Sequence, residues 1–361
     1  MELGYILSYG VPKHGRTELL VAALKQLPGL KVYEARNSSP GMRRYFETLW
    51  KLLRLRLRVH PEVYLLGFRG HEIYPLVRAI VDRKARLIFD EFVSPYDSFT
   101  QESKQFSSES LAGRVIYRIE QFILRNADVL LTDTQSNARH YARIFDVPES
   151  KFFPIPIGVD ETLFSPDGPQ HDYEVPGGFI VFTYATMKPL HGMDVVLDAA
   201  ALVRDIPVQF FIAGGSGKML ADLQERMRTL SLTNIHHIKW IDFADLPAYI
   251  RGADLCLGGP FGNTPQSQRV ITGKTVQFLA CGKATVVGRS EEDPGFIHQQ
   301  NCLLIPQKSA QELADAIRWA YENQARLNAI GQEAHRLFMS KFNLAAIAES
   351  MSHVLSWLKE H

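Results

Sequence analysis

Residues Arg269–Gly288 read RVITGKTVQFLACGKATVVG. The middle of this stretch, from Lys274 to Cys281, has helical spacing, and a Cys-Gly turn leads from it into the β-branched run Ala284–Val287. A short helix feeding a β-branched strand through a glycine is part of a βαβ-type unit. Helices in such units are expected to turn apolar residues to the sheet. Here the first turn carries Lys274, and Gln277 follows one turn later, where the pattern turns inward. A cation and an amide at the mouth of the unit call for a reason other than packing.

The rhythm around the stretch extends through the chain. In the first half, strand-like runs at Leu3–Tyr9, Lys31–Glu34, Glu62–Phe68, Ala85–Phe89, Asp128–Thr132 and Phe152–Ile155 alternate with segments of period near 3.6. Those segments include Thr17–Leu27, Glu72–Asp82, Leu111–Asn126 and Gln135–Phe145. Alternation of this kind predicts parallel strands, right-handed crossovers and a doubly wound sheet. Thr162–Gly178 breaks the pattern with three prolines and three glycines, which marks a linker. The rhythm then restarts: FIVFTYA, VQFFIAGGSG, IHHIKW, DLCLGG and ATVVG are the strands of a second sheet, with helical runs between them. Three helical patterns, Ala310–Glu322, Arg326–Phe338 and Leu344–Lys359, close the chain. The expectation is α/β, with two Rossmann-like doubly wound domains facing a cleft and ligands held beyond the carboxyl ends of the strands. The boundaries read as 1–165, 166–340 and a C-terminal helix, 341–361.

Bulk properties narrow the function. The chain has 361 residues, which suits two domains, with 46% hydrophobic and 22% charged residues, an ordinary globular balance. A net charge of +1 argues against a nucleic-acid partner held by global charge. Cys256, Cys281 and Cys302 are too scattered for a disulfide framework or a zinc site and suit a reducing compartment. No window reaches the roughly 20 apolar residues a spanning helix needs, and no secretory signal pattern opens the chain. A cytoplasmic protein, at most peripheral on the cytoplasmic membrane face, is the expectation.

Several strand-end loops carry chemistry. YATMKPLHGMD (Tyr184–Asp194) runs from a strand into a helix, where free N–H groups favour an anion, and Lys188 and His191 add donors. A solvated lysine and a satisfied histidine are the alternative. IAGGSGK (Ile212–Lys218) is a second glycine-rich turn, without the spacing of a P-loop or a dinucleotide fingerprint. His71 and Asp90 end strands of the first half, where catalytic groups sit, although a lone strand-end histidine is more often structural. RRYFETLWKLLRLRLR (Arg43–Arg58) forms one stripe of Phe46, Leu49, Trp50, Leu53 and Leu57 and another of Arg44, Lys51, Arg54 and Arg58. Such a helix lies on an anionic membrane, or else covers the sheet with its basic side in water.

Together, GVDETLF, PLHG opening a helix, IAGGSG, and FGNTPQSQRVITGKTVQFLACGKATVV resemble the GT4 glycosyltransferases of the GT-B fold, in particular a branch with a PLHG loop and a QRVI-x-x-K insertion. The likeness spans nearly the whole chain and is most specific in its second half. It implies a retaining glycosyltransferase, needing neither metal nor cofactor, that moves a sugar from a UDP- or GDP-linked donor to a saccharide or lipid-linked acceptor. The donor set it implies is Gly10, Arg16, Thr186, Lys188, His191, Gly214, Gly215, Gly262, Asn263, Thr264, Lys274 and Gln277. His71, Asp90 and Gln277 are the catalytic candidates. A diphosphate near the helix start explains Lys274, because charge-assisted hydrogen bonds from lysine are about twice as strong as neutral ones. The chain departs from the family at four positions. Thr186 and His191 stand where most relatives have arginine and lysine, and Arg269 and Gln277 stand where they have glutamates. A non-catalytic nucleotide-sugar-binding subunit and a same-fold epimerase are therefore the alternatives.

Overall fold

The computed structural model describes residues 1–10, 15–102 and 104–361. The chain forms two compact units, Met1–Gly158 with Leu344–His361, and Val159–Asn343. The division falls at Gly158 and not at 165, because Val159 and Phe164 are buried in a core cluster of the second unit.

The first unit alternates β1 (Glu2–Leu7), α1 (Gly15–Gln26), β2 (Lys31–Arg36), α2 (Arg43–Arg58), β3 (Val63–Leu66), α3 (Tyr74–Ile80) and β4 (Arg86–Asp90). A one-turn α4 (Pro95–Asp97), α5 (Leu111–Asn126), β5 (Val129–Thr132), α6 (Gln135–Phe145) and β6 (Phe152–Pro154) follow. All strands pair in parallel in the order β2-β1-β3-β4-β5-β6, with Leu3 opposite Val63 and Ile6 opposite Leu66. A parallel sheet is covered on both faces, so its strands are continuous apolar runs; VYLL of β3 and VLLT of β5 are buried throughout. On one face Leu52 and Leu55 of α2, Val77 of α3, Ile123 of α5 and Phe145 of α6 pack on Ile6, Leu66 and Phe89. On the other, Leu20 and Leu24 of α1 pack with Met351 and Leu355 of the last helix, α13 (Leu344–Glu360).

The second unit contains β7 (Phe179–Tyr184), α7 (Met193–Leu202), β8 (Val208–Ala213), α8 (Gly217–Thr229), β9 (Ile235–Ile238), α9 (Leu246–Gly252) and β10 (Leu255–Leu257). It continues with α10 (Gly273–Ala280), β11 (Thr285–Gly288), β12 (Leu303–Ile305), α11 (Ala310–Glu322) and α12 (Gln324–Lys341). Its parallel order is β12-β11-β10-β7-β8-β9. Strand order reverses between β7 and β10, which makes the carboxyl ends of those strands the binding position of the sheet. The sequence pattern had no counterpart for β12, a three-residue strand without a periodic signature of its own.

The stretch that opened the sequence reading folds as α10 for local reasons. Thr272 caps its start: Thr272 Oγ1 accepts from the Thr275 N–H at 3.3 Å and donates to the Gly258 carbonyl at 2.8 Å. Such a cap contributes about 1 kcal/mol. Gly282, at φ +66°, ends the helix, with its N–H on the Leu279 carbonyl and that of Lys283 on Phe278; left-handed C-terminal caps favour glycine. Val276, Phe278, Leu279 and Ala280 are fully buried, and each of the larger three contributes roughly 1.5–3 kcal/mol by leaving water.

Of the two readings of Arg43–Arg58, sheet cover is provided by another side of the helix: α2 buries Thr48, Leu52 and Leu55. The Phe46 stripe is largely in solvent, with Phe46 74%, Trp50 59% and Leu57 65% exposed.

Candidate functional site

A cavity of about 480 Å³ opens at the carboxyl ends of β7, β8, β9 and β10 in the second unit. Each strand contributes the residues that follow it. Tyr184, Thr186 and His191 come after β7, Gly214–Ser216 after β8, Trp240–Phe243 after β9, and Thr272–Lys274 after β10. All lie around the reversal of strand order, where an open α/β sheet holds its ligand.

Glycine brings these loops together. Gly214 and Gly215 have φ of +95° and +89°, and a Cβ on Gly214 would stand 2.5 Å from the Ala185 carbonyl oxygen. The PLHG loop is held the same way against the segment after β10. A Cβ on Gly192 (φ +61°) would stand 2.4 Å from the Gly262 nitrogen, and one on Gly262 would stand 2.2 Å from the Pro189 oxygen. The Gly262 N–H donates to the Leu190 carbonyl at 3.1 Å. Gly262 therefore shapes the His191 loop and does not line the cavity. Asn263 and Thr264 also stand outside the lining; Thr264 exchanges backbone-to-side-chain hydrogen bonds with Ser267.

The cavity is electropositive and incompletely satisfied. Lys274 is 4% exposed, and among the described residues its ammonium makes no hydrogen bond or ion pair. Burial alone pulls its pKa from 10.5 down to about 7. His191 Nε2 lies 3.4 Å from Thr186 Oγ1, while its Nδ1 is buried with no partner. Burial first, then the charges of Lys274 and Lys188, push the imidazole down to about 2. A third positive charge beside two lysines is opposed, so in the free protein the ring is neutral. Lys188 is exposed beside the cavity. α8 begins at Ser216 with no side-chain cap, leaving its first N–H groups unpaired with a side chain next to the cavity wall. Uncapped helix starts and a buried ammonium make a site for an anion.

Gln277 sits behind the wall. Its Oε1 accepts from the Tyr184 hydroxyl, which burial holds protonated well above the ordinary tyrosine range. Gln277 thereby orients an aromatic ring that lines the cavity. Sequence reasoning missed Trp240, Ile241 and Phe243. Trp240 is 74% and Phe243 57% exposed, and the signal available was the run of apolar residues just after a strand in KWIDF.

The candidates of the first unit form a different arrangement. Arg16 and Asp90, expected to face a donor and a reaction, hold each other. Arg16 Nη2 is 2.8 Å from Asp90 Oδ1, and Arg16 Nε is 3.0 and 3.1 Å from the two carboxylate oxygens. Arg16 Nη1 donates to the Ile155 carbonyl at 3.0 Å, and the guanidinium lies 4.5 Å over the Phe92 ring. Both side chains are buried. The pair ties α1 to the ends of β4 and β6. Gly10 is exposed, and 11–14 of its loop lie outside the described residues.

His71 stands at the end of β3 in a one-turn helix, edge-on to Phe89 at 4.9 Å. Its Nε2 is 2.9 Å from Glu91 Oε2, and Nδ1 has no partner among the described residues. Glu91 lies beside Glu120 of α5, which accepts from the Tyr96 N–H at 2.9 Å. Burial raises both acids, Glu91 to about 8 and Glu120 well above the ordinary carboxyl range. With both carboxyls holding their protons and burial lowering the His71 imidazole, the trio is near neutrality around pH 7. Their ligand atoms lie within 4.8 Å of one another.

Comparisons with known proteins agree with this geometry. The family model described as "Glycosyl transferases group 1" matches residues 178–323. The D-inositol 3-phosphate glycosyltransferase of Jonesia denitrificans is 23% identical over 223 residues, and the match covers 56% of this chain and 50% of that protein. The chain thus spans about half the length of that relative. Sucrose-phosphate synthase from Thermosynechococcus elongatus superposes with a TM-score of 0.72 at 19% identity, over 100% of this chain and 99% of that one. Anabaena Alr3699/HepE, solved with UDP, gives 0.72 at 15% identity over 99% and 100%; its complex with UDP-glucose gives 0.69. The segment around the cavity matches the glycosyltransferase group 1 family, and the chain has the two-sheet fold of the GT-B glycosyltransferase structures.

Proposed function

We propose that the protein is a retaining, metal-independent glycosyltransferase of the GT4 type whose second unit holds a nucleotide diphosphate sugar. The observation that carries this reading is the buried, unpartnered Lys274 in a cavity at the switch point of the second sheet. A lysine held near pH 7 in its folded-state pKa is an unmet demand for negative charge, and a diphosphate supplies it. Trp240 and Phe243 offer apolar surface for the base, Lys274 and the α8 start take the phosphates, and Thr186 and neutral His191 donate hydrogen bonds. Lys188 reaches the same anion from the exposed side. UDP and UDP-glucose in the HepE structures favour uridine over guanosine for the base.

Charge developing on the leaving diphosphate would be stabilised by Lys274 and backbone N–H groups, an electrostatic route of the oxyanion-hole kind. His71, with its free Nδ1 and its Nε2 anchored on Glu91, is the candidate polariser on the acceptor side. The acceptor class is a saccharide or a lipid-linked sugar, and the basic helix Arg43–Arg58 favours an anionic membrane surface as a partner. Calorimetry with UDP, GDP and UDP-glucose, on wild type and Lys274→Ala, tests the donor site. Severalfold weaker binding in the variant supports it, and equal binding removes Lys274 from the site. The alternative of a non-catalytic binding subunit is favoured by one feature: the acceptor oxygen of Gln277 is already occupied by Tyr184. Release of free UDP from UDP-glucose, with or without transfer, rules that alternative out.

A further inference from the structure

We infer that the helical layer formed by α2, α3 and α5 is a docking surface for an anionic lipid bilayer, with α5 as an insertion element equal to α2. This extends the membrane partner proposed above for Arg43–Arg58 to a second helix, and it does not depend on glycosyl transfer.

Direction is the first ground. The buried sides of α2 and α5 enter one core cluster through Leu52, Leu55, Ile123 and Leu124, so both helices lie on the same face of the first sheet. With 3.6 residues per turn, the positions opposite those buried sides on α2 are Phe46, Trp50, Leu53 and Leu57. On α5 they are Leu111, Val115, Ile119 and Phe122. All eight are exposed; on α5 the values are 77%, 48%, 51% and 55%. Leu76 of α3, whose buried Val77 joins the same cluster, is 53% exposed. The largest apolar side chains of two helices thus point away from the sheet in one direction. Isolated surface apolar residues are ordinary, whereas contiguous stripes mark a binding face.

Charge selects the occupant. Arg43, Arg54 and Arg58 of α2 and Arg114 and Arg118 of α5 are exposed. The only acids in the two helices are unavailable to face them. Glu47 is held by Lys51 and the Ser38 and Ser39 N–H groups, and Glu120 is buried. Apolar stripes flanked by arginines, on helices that carry no free carboxylate of their own, complement a layer with an apolar interior and an anionic surface. Among the described residues no helix is long and apolar enough to cross a membrane, so the contact is interfacial.

Vesicle flotation of the full chain tests this, with phosphatidylcholine alone and phosphatidylcholine containing one third phosphatidylglycerol. Phe46→Ser with Trp50→Ser tests α2, and Ile119→Ser with Phe122→Ser tests α5. Wild type should float with the anionic vesicles, bind the neutral ones at least tenfold less, and lose at least tenfold in partitioning with either double variant. Unchanged partitioning of the α5 variant overturns the inference, as does equal binding to both vesicle types. A concentration-dependent dimer that either variant abolishes, without flotation, assigns the face to a second copy of the chain and also overturns it. A wild-type far-UV circular dichroism spectrum and cooperative thermal transition of the variants show that the first unit folds, and UDP binding at wild-type affinity separates failure of this inference from failure of the donor site.

Discussion

Replacing Lys274 by methionine should make the ligand-free protein more stable while weakening the nucleotide complex. Lys274 falls from 10.5 to about 7 on folding because it is buried without a counterion. A base with a lowered folded-state pKa binds fewer protons folded than unfolded across that window. Stability therefore rises with pH from about 7 to 10.5, and the penalty is complete below about pH 7. At about 1.36 kcal/mol per pH unit, the full cost is on the order of 5 kcal/mol, of which about 4 kcal/mol is felt at pH 7. Methionine keeps the unbranched stem and removes the charge. The urea midpoint of Lys274→Met should exceed that of wild type at pH 7, and the gap should close toward pH 10.5. Ligand binding tests the other half of the argument. At pH 8 the free lysine is about 90% neutral, and a bound diphosphate restores its charge, so UDP-glucose should bind with uptake of close to one proton. Calorimetry in two buffers of different ionisation enthalpy measures that uptake, because the sugar diphosphate itself does not titrate near pH 8. A pH-independent stability gap, or binding without proton uptake, would refute the assignment of Lys274 as the anion's counterion.

Three further outcomes follow from the geometry. Arg16→Ala leaves Asp90 buried and unpaired and should cost about 3–5 kcal/mol, as losing one partner of a buried ion pair does; a chemical-denaturation difference under 1 kcal/mol would contradict the anchoring role. Gly192→Ala should cost roughly 1–2 kcal/mol for the left-handed backbone. Because the new Cβ would meet the Gly262 nitrogen at 2.4 Å, UDP affinity should fall at least tenfold, and wild-type affinity by calorimetry would sink the loop-contact argument. Glu91 is an acid raised to about 8 by burial, so stability held below its ordinary 4.5 is lost as pH climbs toward 8. Glu91→Gln should flatten that decline in thermal melts from pH 4.5 to 8, and parallel curves would show that the acid pair does not titrate there.

The fold was readable because its signals are local. Alternation of β-branched runs with 3.6-period segments and the glycines at strand ends act within a few residues, and the helices over Leu111–Asn126 and Gln135–Phe145 begin and end where the pattern puts them. β12 escaped because three residues are too few to show a period. In the second unit, Thr186, His191, Gly214, Gly215 and Lys274 do come together around one cavity. They were legible because a βα loop next to a strand end has only one place to go in a parallel sheet. Trp240 and Phe243 were not, since an exposed aromatic just after a strand looks the same whether it binds a ring or lies in water.

The first unit shows where that logic stops. Arg16 and Asp90 are 74 positions apart, and each alone sits where a functional group would. Only their encounter over the sheet turns two candidate site residues into one structural tie. α2 shows a different limit. Its period is plain, but a period fixes the spacing of an apolar stripe and not the side of the helix that meets the sheet. Phe46, Trp50 and Leu57 make a stronger stripe than Thr48, Leu52 and Leu55, yet the weaker one is buried. A helix that buries its weaker apolar side forgoes stabilisation in isolation, since each large apolar side chain buried contributes roughly 1.5–3 kcal/mol. Such a choice is understandable if the stronger side has another apolar phase to enter, and α5 repeats the arrangement on the same face.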